Sequence, residues 1–181
     1  MVDLLVLDLV DKGLVTDQIV LTVGYDIENL TDQERRKAYM GPVTTDHYGR
    51  KIPKHAHGTV NIGRKTSSTM LITKVVMELF DRIVDPALLV RRVNMATNHV
   101  VAEDSVSKDD VVEQPDLFTD YAALEKQYEK ENTSLEREKK LQKVALDIKK
   151  KFGKNAILKS MNFQDGATAQ DCNKKIGGHR A

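Results

Sequence analysis

The side chains best suited to binding a polyanion are cations that cluster in one stretch of the chain. From Glu34 to Lys65, eight Lys and Arg residues stand against two acids. On an open sheet face such cations, with nearby amides, hydroxyls and helix N-terminal N–H groups, hold phosphates without reading a base sequence. The predicted phosphate contacts are Arg50, Lys51, Lys54, Asn61, Arg64, Lys65, Thr66 and Ser67. The alternative is a solvated charged face, the usual role of such residues when total charge is balanced.

The formal net charge of +1 conceals further blocks of opposite sign. Residues 101–136 hold eleven acids and three lysines, whereas residues 137–159 hold nine basic residues and two acids. A basic, acidic, basic order indicates two surfaces for polyanions, separated by a linker that avoids them. The role of the second basic block stays open between a phosphate contact and a partner helix.

A short motif, Gln114-Pro115-Asp116-Leu117-Phe118, lies in the acidic stretch. Exposing a Leu-Phe pair is unfavourable unless a partner receives it. The motif resembles the peptide that binds the bacterial β sliding clamp, in which a glutamine makes hydrogen bonds and two adjacent apolar side chains fill a pocket. The alternative is that the pair packs on its own domain. The predicted clamp-binding residues are Gln114 as the polar anchor, Asp116, and the pocket-filling Leu117 and Phe118.

Catalytic and metal-binding patterns are weak. His47, His55 and His57 lie close in sequence, but no cysteine or well-spaced carboxylate completes a metal cage, so phosphate contact or loop capping is more ordinary. A polymerase or nuclease holds two cations on clustered acids, whereas the acids here fall in a linker and a charged helix. We therefore predict no catalytic residue, metal or cofactor in this chain. The lowest-ranked hypothesis is a metal-dependent nuclease that uses the three histidines. It predicts a bound metal and cleavage of nucleic acid.

Cysteine content and hydropathy bear on location. Cys172 is the only cysteine, so no internal disulfide can form and a reducing cytoplasm is expected. The longest apolar run, Leu4 to Val10, contains Asp8 and is far shorter than the roughly 20 residues that span a bilayer. No membrane partner is predicted.

Hydrophobic periodicity predicts an α+β fold with a mostly antiparallel sheet. The predicted order is a helix over 2–10, strands over 18–25 and 57–65, a helix from Ser67 or Ser68 to about Ile83, and a strand over 88–101. Residues 26–57 show no sustained period and are predicted to form a long loop with one helical turn over 32–39. A charged helix over 121–152 should dock through an apolar seam formed by Leu141, Val144, Ala145, Ile148 and Phe152.

Several segments in the same order and spacing resemble the little finger domain of Y-family translesion DNA polymerases, nearest to the UmuC-like DNA repair proteins of Firmicutes and their phages. The domain-like segments are Thr59-Val60-Asn61-Ile62-Gly63-Arg64-Lys65-Thr66-Ser67-Ser68, Glu78-Leu79-Phe80-Asp81-Arg82-Ile83 and Leu89-Val90-Arg91-Arg92-Val93. The others are Asp46-His47-Tyr48-Gly49-Arg50-Lys51, residues 150–159 and Gly177-Gly178-His179-Arg180-Ala181.

The resemblance implies a little finger-like antiparallel sheet with two helices on one face over residues 1–103, its first strand expected to be missing. A linker with the clamp peptide over 104–120 and a helical, irregular basic tail over 121–181 would follow. The implied function is binding of primer-template or damaged DNA through phosphates, in translesion synthesis, DNA repair and the SOS response, with recruitment to the DNA polymerase III β sliding clamp. The polymerase core, with its Mg²⁺, is expected to be absent. The alternative is a stand-alone interaction protein that occupies DNA or the clamp without synthesis.

Overall fold

The computed structural model describes residues 1–106, 121–176 and 179–180. The helices in this part of the chain are α1 (Val2–Asp11), α2 (Glu28–Thr31), α3 (Gln33–Ala38), α4 (Thr69–Ile83), α5 (Tyr121–Phe152) and α6 (Ala169–Asn173). The strands are β1 (Leu14–Tyr25), β2 (Val43–Thr45), β3 (Lys51–Pro53), β4 (Ala56–Thr66), β5 (Val90–Asn98), β6 (Val101–Ala102), β7 (Lys175–Ile176) and β8 (His179–Arg180). The α+β class and the antiparallel sheet are confirmed.

The chain divides into two compact units, one formed by the sheet segment that starts at Leu14 and one by α1 with the C-terminal segment. In the second unit, acids of α1 pair with lysines of the basic tail. Asp11 accepts a hydrogen bond from Lys150, and Asp3 accepts one from Lys159 at 2.5 Å. Part of the charge of the second basic block is therefore balanced within its own unit. The proposed boundaries at residues 103 and 120 stay predictions.

The central strand of the sheet is β1, which pairs antiparallel with β4 on one side and with β5 on the other. Its predicted alternation is confirmed, because Ile19, Leu21, Val23 and Tyr25 are all buried. Leu21 and Val23 form a core cluster with Leu79 of α4. Successive residues of a strand point to opposite faces, so the side chains between these buried ones belong to the other face of the sheet.

Helix α4 packs on the buried face of β4. Ser68 caps it as predicted, because its hydroxyl accepts the N–H of Leu71 at 3.3 Å. The close approach needs Gly58, since a Cβ there would lie 2.9 Å from Leu79 Cδ1 and 3.1 Å from Ile83 Cγ2. A side chain at this position would push α4 away from the sheet.

The prediction of a long loop over residues 26–57 is wrong. This segment contains α2, α3 and the hairpin of β2 and β3. Helix α3 begins where Asp32 accepts the N–H of Arg35 at 2.8 Å, in agreement with the expected helical turn. Each element spans only three to six residues, too few for a hydrophobic period to show in the sequence.

Two other expectations need adjustment. The last predicted strand is interrupted between β5 and β6, where His99 adopts a left-handed conformation with φ 51°. The predicted helix over 121–152 is present as α5, but Leu141, Val144 and Phe152 of its predicted docking seam are exposed. The buried residue of this part of the helix is Gln142, so polar residues contribute to its covered side.

Candidate nucleic-acid interface

The sheet face opposite α4 is lined by polar side chains joined across the strands. Asn98 donates a hydrogen bond to Gln18 Oε1 at 2.9 Å, and Gln18 in turn donates to Asn61 Oδ1 at 2.8 Å. Asn61 and Asn98 are exposed, and both are in register with Gln18. These three amides form a ladder that crosses β5, β1 and β4, and we call it the amide ladder. The ladder uses the oxygen of Asn61, which leaves the NH₂ group of Asn61 outside it as a donor suited to a phosphate oxygen.

The rest of this face continues the polar character. Four residues further along β1, on the same face, Thr22 Oγ1 and His57 Nδ1 lie 2.9 Å apart across β1 and β4. Asn94 is exposed and pairs in register with Thr22 from the other side. A half-exposed sheet face of amides and hydroxyls can donate hydrogen bonds along a backbone of phosphates.

Two cationic sites adjoin this face. At one end Arg92 lies opposite Gly24 of β1 and is exposed. Its neighbour Arg91 is committed to Asp26, with 3.3 Å between Nη1 and Oδ2. The N–H of Glu28 and, more weakly, this arginine hold the pKa of Asp26 below its usual 3.8 against the opposing effect of desolvation. Arg92 is therefore the better phosphate-binding candidate of the two.

At the other end a β-bulge carries Arg64 and Lys65. The register changes from Gln18 opposite Asn61 to Thr16 opposite Thr66, so residues 62–65 of β4 face one residue of β1. Gly63 in this bulge has φ +87°, which favours glycine. Bulges of this kind re-aim side chains out of the regular alternation. Arg64 and Lys65 stand four and three residues before Ser68, the N-terminal cap of α4.

Thr66 and Ser67 connect this bulge to α4. The Thr66 hydroxyl accepts the N–H of Ser68 at 3.0 Å, and Ser68 accepts the N–H of Leu71. Thr66 and Ser67 are both partly buried. Because its hydroxyl accepts the N–H of Ser68, Thr66 has a structural role in the turn in addition to any contact with a ligand. Five of the predicted contacts therefore follow one another along the strand and its turn: Asn61, Arg64, Lys65, Thr66 and Ser67.

The remaining predicted contacts lie on the hairpin of β2 and β3. Arg50 Nη2 lies 2.6 Å from Asp46 Oδ2, and Arg50 Nε donates to the same oxygen at 2.8 Å. These side-chain bonds, followed by the N–H groups of Arg50 and Tyr48, lower the pKa of Asp46 below 3.8. Arg50 therefore closes the turn. Lys51 and Lys54 are exposed on the same hairpin and its exit.

Sequence reasoning missed three residues of this interface. It did not single out Gln18 and Asn98, which join Asn61 in the amide ladder, or Arg92, which borders the same face. The alternation of polar residues in β1 was a usable signal for Gln18. The other two needed the strand register, which the sequence does not contain.

The predicted clamp-binding residues, Gln114, Asp116, Leu117 and Phe118, lie outside the described residues. The histidines do not converge: the His55 and His57 rings are 6.5 Å apart, whereas His47 contacts Tyr48. Among the described residues, no three His, Cys, Asp or Glu side chains come together as a possible metal site. In the same part of the chain, no helix has the length and apolar character needed to cross a membrane.

Comparison of the chain with protein-family models, with curated proteins and with solved structures gave no match.

Proposed function

We propose that this chain binds primer-template or damaged DNA through the polar face of its sheet, as a little finger-like, non-catalytic part of a Y-family translesion polymerase. The single observation that carries this proposal is the amide ladder of Asn98, Gln18 and Asn61 on the face opposite α4. Such a face offers spaced hydrogen-bond donors, and Arg92 and the bulge with Arg64 and Lys65 border it with cations. Donors and cations of this kind bind a phosphate backbone whatever its base sequence.

The proposed role includes recruitment to the DNA polymerase III β sliding clamp through Gln114, Asp116, Leu117 and Phe118. This part rests on the motif and its position in the acidic stretch. A Leu117→Ala/Phe118→Ala variant should lose binding to purified β clamp and keep its affinity for DNA. Equal clamp binding by wild type and variant would remove the clamp from the proposal and leave the DNA interface unaffected.

The DNA interface is tested by fluorescence anisotropy on a labelled primer-template across a salt series. Each phosphate contact contributes about 0.9 to the slope of log K against log salt concentration for duplex DNA. If both cations of the bulge contact phosphates, an Arg64→Ala/Lys65→Ala variant should therefore lose roughly 1.8 from that slope and bind more weakly at each salt concentration. Urea unfolding of the variant checks that the bulge still folds.

A matched control removes the same charge elsewhere. Arg36 and Lys37 are exposed in the last turn of α3 and are not among the predicted contacts. An Arg36→Ala/Lys37→Ala variant should keep most of the wild-type slope. Equal losses in the two variants would show a general effect of net charge, and no wild-type binding at low salt would refute the proposal.

A further inference from the structure

The tip of the β2–β3 hairpin is a turn closed by its own hydrogen bonds. Asp46 Oδ1 accepts the N–H groups of Tyr48 and Arg50, each at 2.9 Å. The backbone N–H of Asp46 donates to the carbonyl of Arg50 at 2.8 Å, and Gly49 has φ +78°. With the Arg50 guanidinium also on Asp46, these bonds fix the turn, and none of them uses the Tyr48 ring.

The base of the hairpin is held by contacts of its own. Pro53 at the end of β3 is fully buried, and Lys54 N–H donates to the carbonyl of Pro42 at 2.8 Å. The Tyr39 hydroxyl donates to the same carbonyl at 2.8 Å. A Cβ on Gly41 would come within 2.6 Å of the Tyr39 ring, so the chain passes directly against that ring. The tip therefore projects from a fixed base.

At the tip of this hairpin the Tyr48 side chain is 78% exposed. The Arg50 guanidinium carbon lies over its ring at 5.0 Å from the centroid, and the His47 ring meets it edge-on at 5.5 Å. Such cation–π and edge contacts orient an aromatic ring without burying it. These contacts hold the exposed Tyr48 ring in a defined orientation. The hydrogen bonds that close the turn do not involve the ring.

We propose that the Tyr48 ring stacks on an unpaired base of single-stranded nucleic acid, while Lys51 binds the adjacent phosphate. Single-strand binding surfaces combine these two elements, because every base offers a stacking face and every linkage a negative charge. The charge of the hairpin supports the assignment, since residues 43–54 hold three cations, Arg50, Lys51 and Lys54, against one acid, Asp46. The tip residues beside the ring, His47 and Gly49, are not the apolar side chains that insert into a lipid surface.

The inference rests on the proposed DNA-binding function and assigns the single-stranded template to the hairpin. The test uses two labelled DNAs at one salt concentration: a blunt duplex, and a primer-template whose overhang carries 2-aminopurine. Wild type and Tyr48→Phe should quench the 2-aminopurine fluorescence. Tyr48→Ala should not, and it should bind the overhang DNA roughly tenfold more weakly, a loss within the range of one base–aromatic stack. Its affinity for the blunt duplex should stay unchanged.

Phe152→Ala, which also removes an exposed ring, is the matched control and should behave as wild type. Wild-type behaviour of Tyr48→Ala on the overhang DNA would overturn the inference and leave duplex binding by the sheet intact. Loss of wild-type binding to both DNAs would overturn the proposed function and the inference together. An effect of Tyr48→Ala on binding to phosphatidylserine vesicles, with none on overhang DNA, would identify a lipid surface and also overturn the inference.

Discussion

Asn29 should be one of the residues on which the sheet unit most depends, although it lies far from any predicted contact in the sequence. Its side chain is fully buried, and its Nδ2 donates to the carbonyls of Asp26 and Leu89 at 2.9 and 3.0 Å. Its Oδ1 accepts the N–H of Leu89 at 2.9 Å. Asn29 therefore ties the start of α2 to the segment that leads into β5 and Arg92.

The cost of Asn29→Ala follows from which groups keep a partner. The two carbonyls keep one each, because Asp26 O also accepts the N–H of residue 29 and Leu89 O accepts the N–H of Asp26. The Leu89 N–H loses its acceptor, Asn29 Oδ1. Each hydrogen bond contributes about 0.5–1.5 kcal/mol net, so loss of the three bonds made by the Asn29 side chain should decrease the free energy of unfolding by about 2–4 kcal/mol.

Urea unfolding followed by circular dichroism measures this decrease. With a slope of about 1–3 kcal/mol per molar urea, the midpoint should fall by at least about 0.7 M. Asn94→Ala removes an exposed amide from the same sheet and is the matched control, expected within about 0.5 kcal/mol of wild type. An Asn29→Ala protein as stable as the control, with an unchanged slope, would refute the role given to this side chain.

Three further outcomes follow from the structure. Gly58→Val should lower the free energy of unfolding by about 1–3 kcal/mol in urea, because the new side chain would overlap Leu79; unchanged stability would contradict the close packing of α4. Because the folded pKa of Asp46 is depressed, its stabilisation of the turn is complete above the unfolded value near 3.8 and disappears as pH falls through the lower folded pKa. Amide NMR shifts of Tyr48 should follow that titration, and a midpoint at or above 3.8 would contradict it. At His99, with φ 51°, a Val variant should be about 1–2 kcal/mol less stable than an Asn variant in thermal unfolding, and equal stability would contradict the left-handed backbone.

The elements that the sequence predicted well are those whose signal is local. Apolar alternation marks the buried side of β1 from Ile19 to Tyr25, and Ser68 followed by a periodic apolar stripe marks the start of α4. Both signals depend on residues within a few positions of each other. The α+β class follows from them.

The rest depends on contacts between distant residues. The elements between residues 26 and 57 are held by the buried Asn29, by the hydrogen bond of Tyr39 and by the buried Pro53. These are single contacts, and they leave no hydrophobic period in the sequence. The amide ladder requires the register of three strands, and the β4 bulge changes that register within two residues of β1. Part of the candidate interface, including Asn61 and the cations of the bulge, could therefore be predicted, but its completion by Gln18 and Asn98 could not.

If the polar face of the sheet contacts DNA, the side-chain amides on that face should report the contact directly. In the ¹⁵N-labelled protein, the NH₂ signals of Gln18, Asn61 and Asn98 can be followed by NMR during titration with a primer-template at low salt. We predict that these three signals shift as the complex forms, while the signal of the buried Asn29 stays in place. Binding that leaves the three signals unchanged, or no binding at low salt, would contradict the claim.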